Sequence, residues 1–344
     1  MQIDGRALGS DQPPYVIAEI SNNHLADVER ACRLIDIAAR SGADAVKIQT
    51  FDADSLTIDS DRPEFLIRVP PWEGLNYYQL YKRIALPRAF TERLFRVARD
   101  CGITLFSSPF DESAVALLQT LDCPAYKIAS FEACDDPLLR AAGATGKPII
   151  VSTGVANLLD IEETLRLLHS VGASDVALLH CVSSYPAAAA DMNIRALDRL
   201  ARFGCLIGLS DHSLGPLAAT LAVARGAALI EKHFTISRAD GGPDASFSLE
   251  PDELVALVRA VREAWEALGS DRVLDQKRRP GAEHARSLFV IRDIPAGAAI
   301  VAEDLRAIRP GLGLPPRNLS KVLGARTRRS LARGEPLTWE DIEL

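Results

Sequence analysis

Short apolar runs that end in polar residues alternate along this chain with stretches in which apolar residues recur every three or four positions. The runs fall at 15–20 (YVIAEI), 45–50 (AVKIQT), 104–109 (TLFSSP), 125–130 (AYKIAS), 148–154 (PIIVSTG), 176–181 (VALLHC), 207–212 (IGLSDH) and 228–234 (ALIEKHF). Each has the length and composition of a strand. Between them, residues 27–40 carry apolar side chains at 28, 31, 34, 35 and 38, with Gly42 placed to stop a helix. Residues 160–169 and 251–268 follow the same helical period. Strands alternating with helices predict parallel βα units, and eight of them predict a closed (β/α)8 barrel, a TIM barrel of the α/β class. An open doubly wound sheet is the competing topology, but no glycine fingerprint follows the first run.

In such a barrel the C-terminal strand ends converge on one face, the face that carries active sites. Here those ends hold Glu19, Lys47, Gln49, Ser107, Ser108, Lys127, Ser130, Ser152, Ser183, Tyr185, Ser210, Asp211, His212, Glu231 and His233. A buried lysine or carboxylate without a partner costs several kcal/mol, roughly, so polar residues at every strand end argue for a site.

The pattern changes after residue 269. Residues 270–285 (SDRVLDQKRRPGAEHA) are polar and read as a linker, and 286–344 show short apolar runs between turn signals, a small second domain after a barrel spanning 1–269. A long excursion from 51 to about 87, containing Pro70, Pro71 and Trp72, leaves the catalytic end of the second strand. It is a candidate lid or specificity loop.

Composition narrows the choice of chemistry. The formal net charge is −7 and no lysine or arginine block is long, which excludes a nucleic-acid surface and demands local positive charge if the substrate is an anion. No apolar run approaches the roughly 18 residues of a membrane helix, so a cytoplasmic protein without membrane contact is expected. The six cysteines form no CxxC pair and read as buried thiols.

His212 and His233 stand at the ends of the last two strands, where neutral imidazoles suit a transition metal completed by oxygen ligands. His24 is expected to orient the first loop, and His169, His180 and His284 receive no role. Lys47 and Lys127 lie inside apolar strands and need anionic partners or shifted pKa values. With Ser108, Ser130, Ser152 and Ser210 they could cradle a phosphate and a carboxylate. A Schiff-base aldolase is a second reading, disfavoured by the two metal-type histidines. Structural ion pairs to Glu19 and Glu132 are a third.

These residues sit in motifs that together resemble the sialic acid synthase family: IAEISNNH (17–24), DAVKIQT (44–50), FSSPFD (106–111), YKIAS (126–130), STG (152–154), GLSDHS (208–213), EKHFT (231–235), GGPD (241–244), ARSLFVIRDI (285–294) and IRPGLG (308–313). The last two resemble the antifreeze-like (SAF) domain that closes these enzymes. Within the family, TIDSDRPEF (57–65), PFDESA (109–114), IASFEA (128–133) and GGPDASFSL (241–249) are similar to the pseudaminic acid synthase branch, because Ala245 stands where N-acetylneuraminate synthases carry histidine.

The resemblance implies a transferase that condenses phosphoenolpyruvate with an N-acylated amino sugar, a 2,4-diacetamido-6-deoxy hexose in that branch. N-acetylneuraminate and legionaminate synthases are the nearest rivals, and a non-catalytic sugar-binding protein is the reading from another class. It implies that His212 and His233 hold a divalent metal, Mn²⁺ first, with Mg²⁺ or Co²⁺ as alternatives. It assigns Lys127, Ser130, Ser152, Ser183 and Ser210 to the phosphate, and Lys47 and Ser108 to the carboxylate. Ser183 replaces a frequent asparagine. Gln49, Tyr185 and Asp244 would contact the sugar, Glu132 would relay a proton, and Glu19 would act on water if burial raises its pKa. Arg309 would reach the barrel of a second subunit, making a domain-swapped homodimer.

Overall fold

A computed structural model describes residues 1–68, 72–275 and 280–344. Eight parallel strands close a barrel in chain order: β1 Tyr15–Glu19, β2 Ala45–Thr50, β3 Thr104–Pro109, β4 Tyr126–Ile128, β5 Ile149–Ser152, β6 Val176–Cys181, β7 Leu206–Asp211 and β8 Leu229–His233. The ring shuts where β8 pairs with β1, Leu229 opposite Tyr15 and His233 opposite Glu19. These are the eight runs expected, with shifted ends. β4 keeps only three strand residues, and the chain then turns through a 3₁₀ segment, Ser130–Glu132, so Ser130 rides a turn rather than the strand expected and Glu132 shares that turn.

The outer helices follow the apolar period. Val28–Arg40 starts at the Asp27 cap, which accepts the Glu29 N–H, and buries Ala31, Leu34, Ile35 and Ala38. Gly42 follows at φ +84, a conformation that suits glycine. Leu158–Ser170 begins two residues earlier than its periodicity suggested because Asn157 caps it, and Pro251–Leu268 has the expected limits. Each fully buried leucine or isoleucine of this layer contributes about 1.5–3 kcal/mol. A short hairpin, Gln2–Ile3 with Arg6–Ala7, precedes the barrel; Asp4 accepts a bond from Thr104 at the start of β3, which sets the hairpin at the end opposite the site.

The excursion after β2 carries a short helix, Ala53–Leu56, and a second, Tyr77–Ile84, capped by Asn76. Asn76 also donates to Asp59 at 3.0 Å. Residues 69–71, including Pro70 and Pro71, lie outside the described residues, as do 276–279 of the expected linker. Among the described residues no helix is long and apolar enough to cross a membrane.

The chain divides into two compact units, Met1–Gly269 and Ser270–Leu344. The second has its own core of Leu288, Val290, Ile294, Ile300, Leu331 and Leu337 around the antiparallel pair Ser287–Val290 and Leu305–Ile308. The stretch expected as linker holds two 3₁₀ segments among its described residues, Asp271–Asp275 and Ala282–His284.

Candidate active site

Parallel register gathers the polar strand ends. Glu19 pairs with Lys47, Gln49 with Ser108, Cys181 with Ser210, and Ser210 with Glu231. Side chains alternate in and out along each strand, so Lys47 and Gln49 share the inner face, as do Glu231 and His233. They meet around a cavity of about 220 Å³.

Lys47, Gln49, Lys127, Ser130, Glu132, Ser152, Tyr185, Ser210, His212, His233 and Asp244 line this cavity. Glu19 and Ser108 lie behind the wall, both buried, and Ser183 stands behind Ser130. Arg309 belongs to the second unit, where it is exposed. The excursion contributes Phe51, Leu56, Tyr81 and Ile84 to the lining, and the Phe51 ring meets Phe110 edge-on at 5.5 Å.

The two lysines have different company. Lys47 Nζ lies 2.6 Å from Glu19 Oε2 and 3.8 Å from Glu231 Oε1, and donates to Ser108 Oγ at 3.1 Å. Burial opposes its charge, but Glu19 and Glu231 outweigh burial and hold its pKa above the ordinary lysine range. Lys127 donates to Ser152 Oγ at 2.7 Å and to the Ile128 carbonyl at 3.0 Å. Among the described residues no carboxylate lies within 4.0 Å of it, so the expected alternative of a Glu132 ion pair does not form. Burial pushes its pKa down. A buried ammonium that lines a cavity and has no carboxylate beside it favours an anionic ligand.

The carboxylates divide as well. Glu231 accepts from Ser210 at 3.1 Å; burial alone would raise its pKa, but Lys127 and Lys47 pull it down. Glu19 is pushed up by burial and by Glu231, against the pull of Lys47. Glu132 is raised by burial to about 6, with Lys127 opposing. One buried oxygen each of Glu132 and Glu231 has no hydrogen-bond partner. At the phosphate-type corner Ser183 donates to Ser130 at 3.1 Å, and a Cβ on Gly154 would meet their Oγ atoms at 2.5 and 2.6 Å.

The two histidines fit a metal. Their ring centroids are 5.2 Å apart. His212 Nδ1 faces the Val182 carbonyl at 2.9 Å and must donate to it, which leaves the Nε2 lone pair free. His233 Nδ1 is buried without a partner. Burial lowers both pKa values, His233 strongly, so both rings are neutral, the form that ligates. Among the described residues no group of three or more His, Cys, Asp or Glu is arranged for a metal. A cation here would therefore take two imidazoles and fill its sphere with substrate and water oxygen. His24 has the orienting role expected: its Nδ1 accepts the Ala26 N–H at 2.9 Å, and burial lowers its pKa to about 4.

Sequence reasoning gave no role to Glu231, Ser21, Asn22, Cys181 or Phe247. Glu231 was recoverable, since it precedes His233 by two positions on one strand and shares its face. Phe247 packs on His233 at 4.9 Å and on Tyr185 at 5.2 Å, a contact that no local pattern announces.

Comparison with known proteins identifies the family. Residues 34–273 match the NeuB family and residues 285–343 the SAF domain. A pseudaminic acid synthase of Helicobacter pylori is 38% identical over 96% of this chain and 98% of its own length. An N,N'-diacetyllegionaminic acid synthase of Legionella pneumophila is 37% identical over 97% of this chain and 96% of its own. The crystal structure of an N-acetylneuraminic acid synthetase from Leptospira borgpetersenii, in complex with citrate, superposes with a TM-score of 0.72 at 31% identity, covering 82% of this chain and 93% of that one. The chain belongs to the NeuB family and is an enzyme, a transferase of the sialic acid synthase type that carries a SAF domain.

Proposed function

We propose that this enzyme condenses phosphoenolpyruvate with 2,4-diacetamido-2,4,6-trideoxy-L-altrose, giving pseudaminic acid and phosphate with cleavage of the C–O bond. The observation that carries the anionic substrate is Lys127, buried, free of any carboxylate within 4.0 Å among the described residues, and open to the cavity beside Lys47. Support for the acceptor comes from the pseudaminic acid synthase relatives and from Phe51, Leu56 and Ile84 in the cavity wall, apolar side chains suited to a 6-deoxy methyl group.

In this reading Lys127, Ser130, Ser152 and Ser210 hold the phosphate, with Ser183 supporting Ser130, and Lys47, bonded to Ser108, holds the carboxylate. Gln49, Tyr185 and Asp244 align the sugar so that its aldehyde carbon faces C3 of phosphoenolpyruvate. A divalent metal held by His212 and His233, manganese before magnesium or cobalt, supplies Lewis acidity at the aldehyde oxygen when bound. As C3 attacks, positive charge grows at C2, and the buried carboxylates Glu19 and Glu231 balance it. Lys47 turns from Glu19 to the substrate carboxylate, which frees Glu19 Oε2 to take a proton from the water that adds at C2. Glu132, with a pKa of about 6, passes a proton near neutrality. The excursion wall of Leu56, Tyr81 and Ile84 keeps bulk water from the enol. Arg309 of a partner subunit completes the sugar site, which makes a homodimer the working unit.

The test is phosphate release from phosphoenolpyruvate with Mn²⁺ and one of three acceptors: the altrose sugar, 2,4-diacetamido-2,4,6-trideoxy-D-mannose or N-acetylmannosamine. Release with the altrose sugar alone is expected. Preference for another acceptor would overturn the sugar assignment, and full activity in excess chelator would overturn the metal.

A further inference from the structure

The turn that follows β1 is strained and tied down. Ser21 has φ +41, a left-handed conformation that costs a non-glycine residue about 1 kcal/mol or more and persists where surroundings over-determine it. Its hydroxyl donates to Asp244 Oδ2 and accepts from Gln49 Nε2 at 3.2 Å. Asn23 anchors the same turn by donating to the Phe234 carbonyl at 2.9 Å and to Ser248 Oγ at 2.8 Å. The strain is thus held in place by bonds to the segment that follows β8.

What the turn presents to the cavity is Asn22. Its side chain is only 8% exposed and lines the cavity beside Asp244. Asn22 Nδ2 donates to Asp244 Oδ2 at 3.3 Å, which fixes the amide, since the reversed amide would set Oδ1 against the carboxylate. Oδ1 is then buried with no partner. An unmet buried acceptor carries a desolvation cost that a ligand donor removes. Asn22 and Asp244 offer acceptors side by side, and a group that only donates, an amide N–H, matches them better than a hydroxyl, which also needs a donor.

The geometry points to Asn22 as a specificity-determining residue, whose Oδ1 accepts an acylamino N–H of the acceptor sugar, with Ser21 as the positioning residue that holds Asn22 and Asp244 in register. This inference rests on the proposed acceptor class.

The experiment is steady-state kinetics of the Mn²⁺-loaded enzyme and its Asn22→Leu variant, on the best diacetamido acceptor and on two analogues in which one acetamido group is replaced by acetoxy. The ester keeps the shape and lacks the N–H. The wild type is expected to lose about tenfold in kcat/KM on one of the two esters, and Asn22→Leu to treat that ester and the amide alike. The KM for phosphoenolpyruvate should stay within about twofold, which a general disturbance of the site would not allow. Equal discrimination by both proteins on both esters, or a parallel rise in both KM values, would overturn the inference while leaving the function intact. Failure of the wild type on every acylamino sugar would overturn the function itself and this inference with it. If Asn22→Leu does not fold, Asn22→Ala serves the same comparison. Ser21→Ala should raise the acceptor KM and weaken the amide–ester discrimination, since Asn22 and Asp244 lose the hydroxyl that holds their register.

Discussion

Lys47 Nζ lies 2.6 Å from Glu19 Oε2, and both side chains are almost sealed from solvent, at 4% and 1% exposure. A pair so deeply buried contributes little net stability, because the desolvation of both ions offsets their attraction. Its value is conditional. Each partner keeps the other charged until a substrate carboxylate competes for the lysine.

Lys47→Met should therefore cost about 3–5 kcal/mol of stability, since Glu19 and Glu231 lose their nearest cation. The double variant Lys47→Met/Glu19→Gln should recover most of that loss and remain inactive. Urea denaturation followed by a phosphate-release assay separates the two effects. A double variant no more stable than the single one would show that the pair is not the unit described.

Glu132 sets a pH dependence whose sign follows from its raised pKa. Burial lifts it from 4.5 to about 6, so the folded protein binds this proton more tightly than the unfolded chain. Its contribution is complete below pH 4.5 and is lost as pH rises to about 6. Relative to Glu132→Gln, the wild type should lose on the order of 2 kcal/mol across that window, less some solvent screening. Denaturation midpoints of both proteins between pH 4 and 7 check this. The rate of the wild type should carry a limb near pH 6 that the glutamine variant lacks.

Gly154→Ala should act on the phosphate corner alone. Its methyl group would meet Ser183 Oγ at 2.5 Å and Ser130 Oγ at 2.6 Å, and both serines must move. The KM for phosphoenolpyruvate should rise by roughly tenfold, with the acceptor KM within about twofold. An unchanged phosphoenolpyruvate KM would remove Ser130 and Ser183 from the phosphate.

The proposed exchange of Arg309 between subunits can be tested by complementation. Arg309→Ala and His233→Ala should each be nearly inactive. Mixed and allowed to exchange subunits, they should recover roughly a quarter of wild-type turnover, because half the dimers are mixed and each has one intact site. No recovery, with exchange verified by differential tagging, would place Arg309 with its own barrel or outside the site.

Much of this protein was legible in the sequence because the signals are local. Short apolar runs and period-three-to-four stretches alternate, and eight repeats leave few ways to close a sheet. The inner face of each strand follows from counting by twos, so Lys47 with Gln49 and the pair Glu231 and His233 were fixed by spacing alone. The resemblance to a known family added roles that spacing could not supply.

Partnership was decided only in three dimensions. The two lysines occupy matching contexts, AVKIQ and AYKIA, yet Lys47 meets Glu19 while Lys127 meets a serine and a carbonyl. The length of β4 belongs to the same class: three residues followed by a 3₁₀ turn carry Ser130 off the strand that the sequence extended to it. Ser21 and Asp244 are 223 positions apart, and only closure of β8 on β1 brings them together. Local propensity acts over a few residues, whereas which charges meet depends on register around the whole ring. That register is set by packing of the barrel as a unit, and it turned a list of polar strand ends into one site with a paired lysine and an unpaired one.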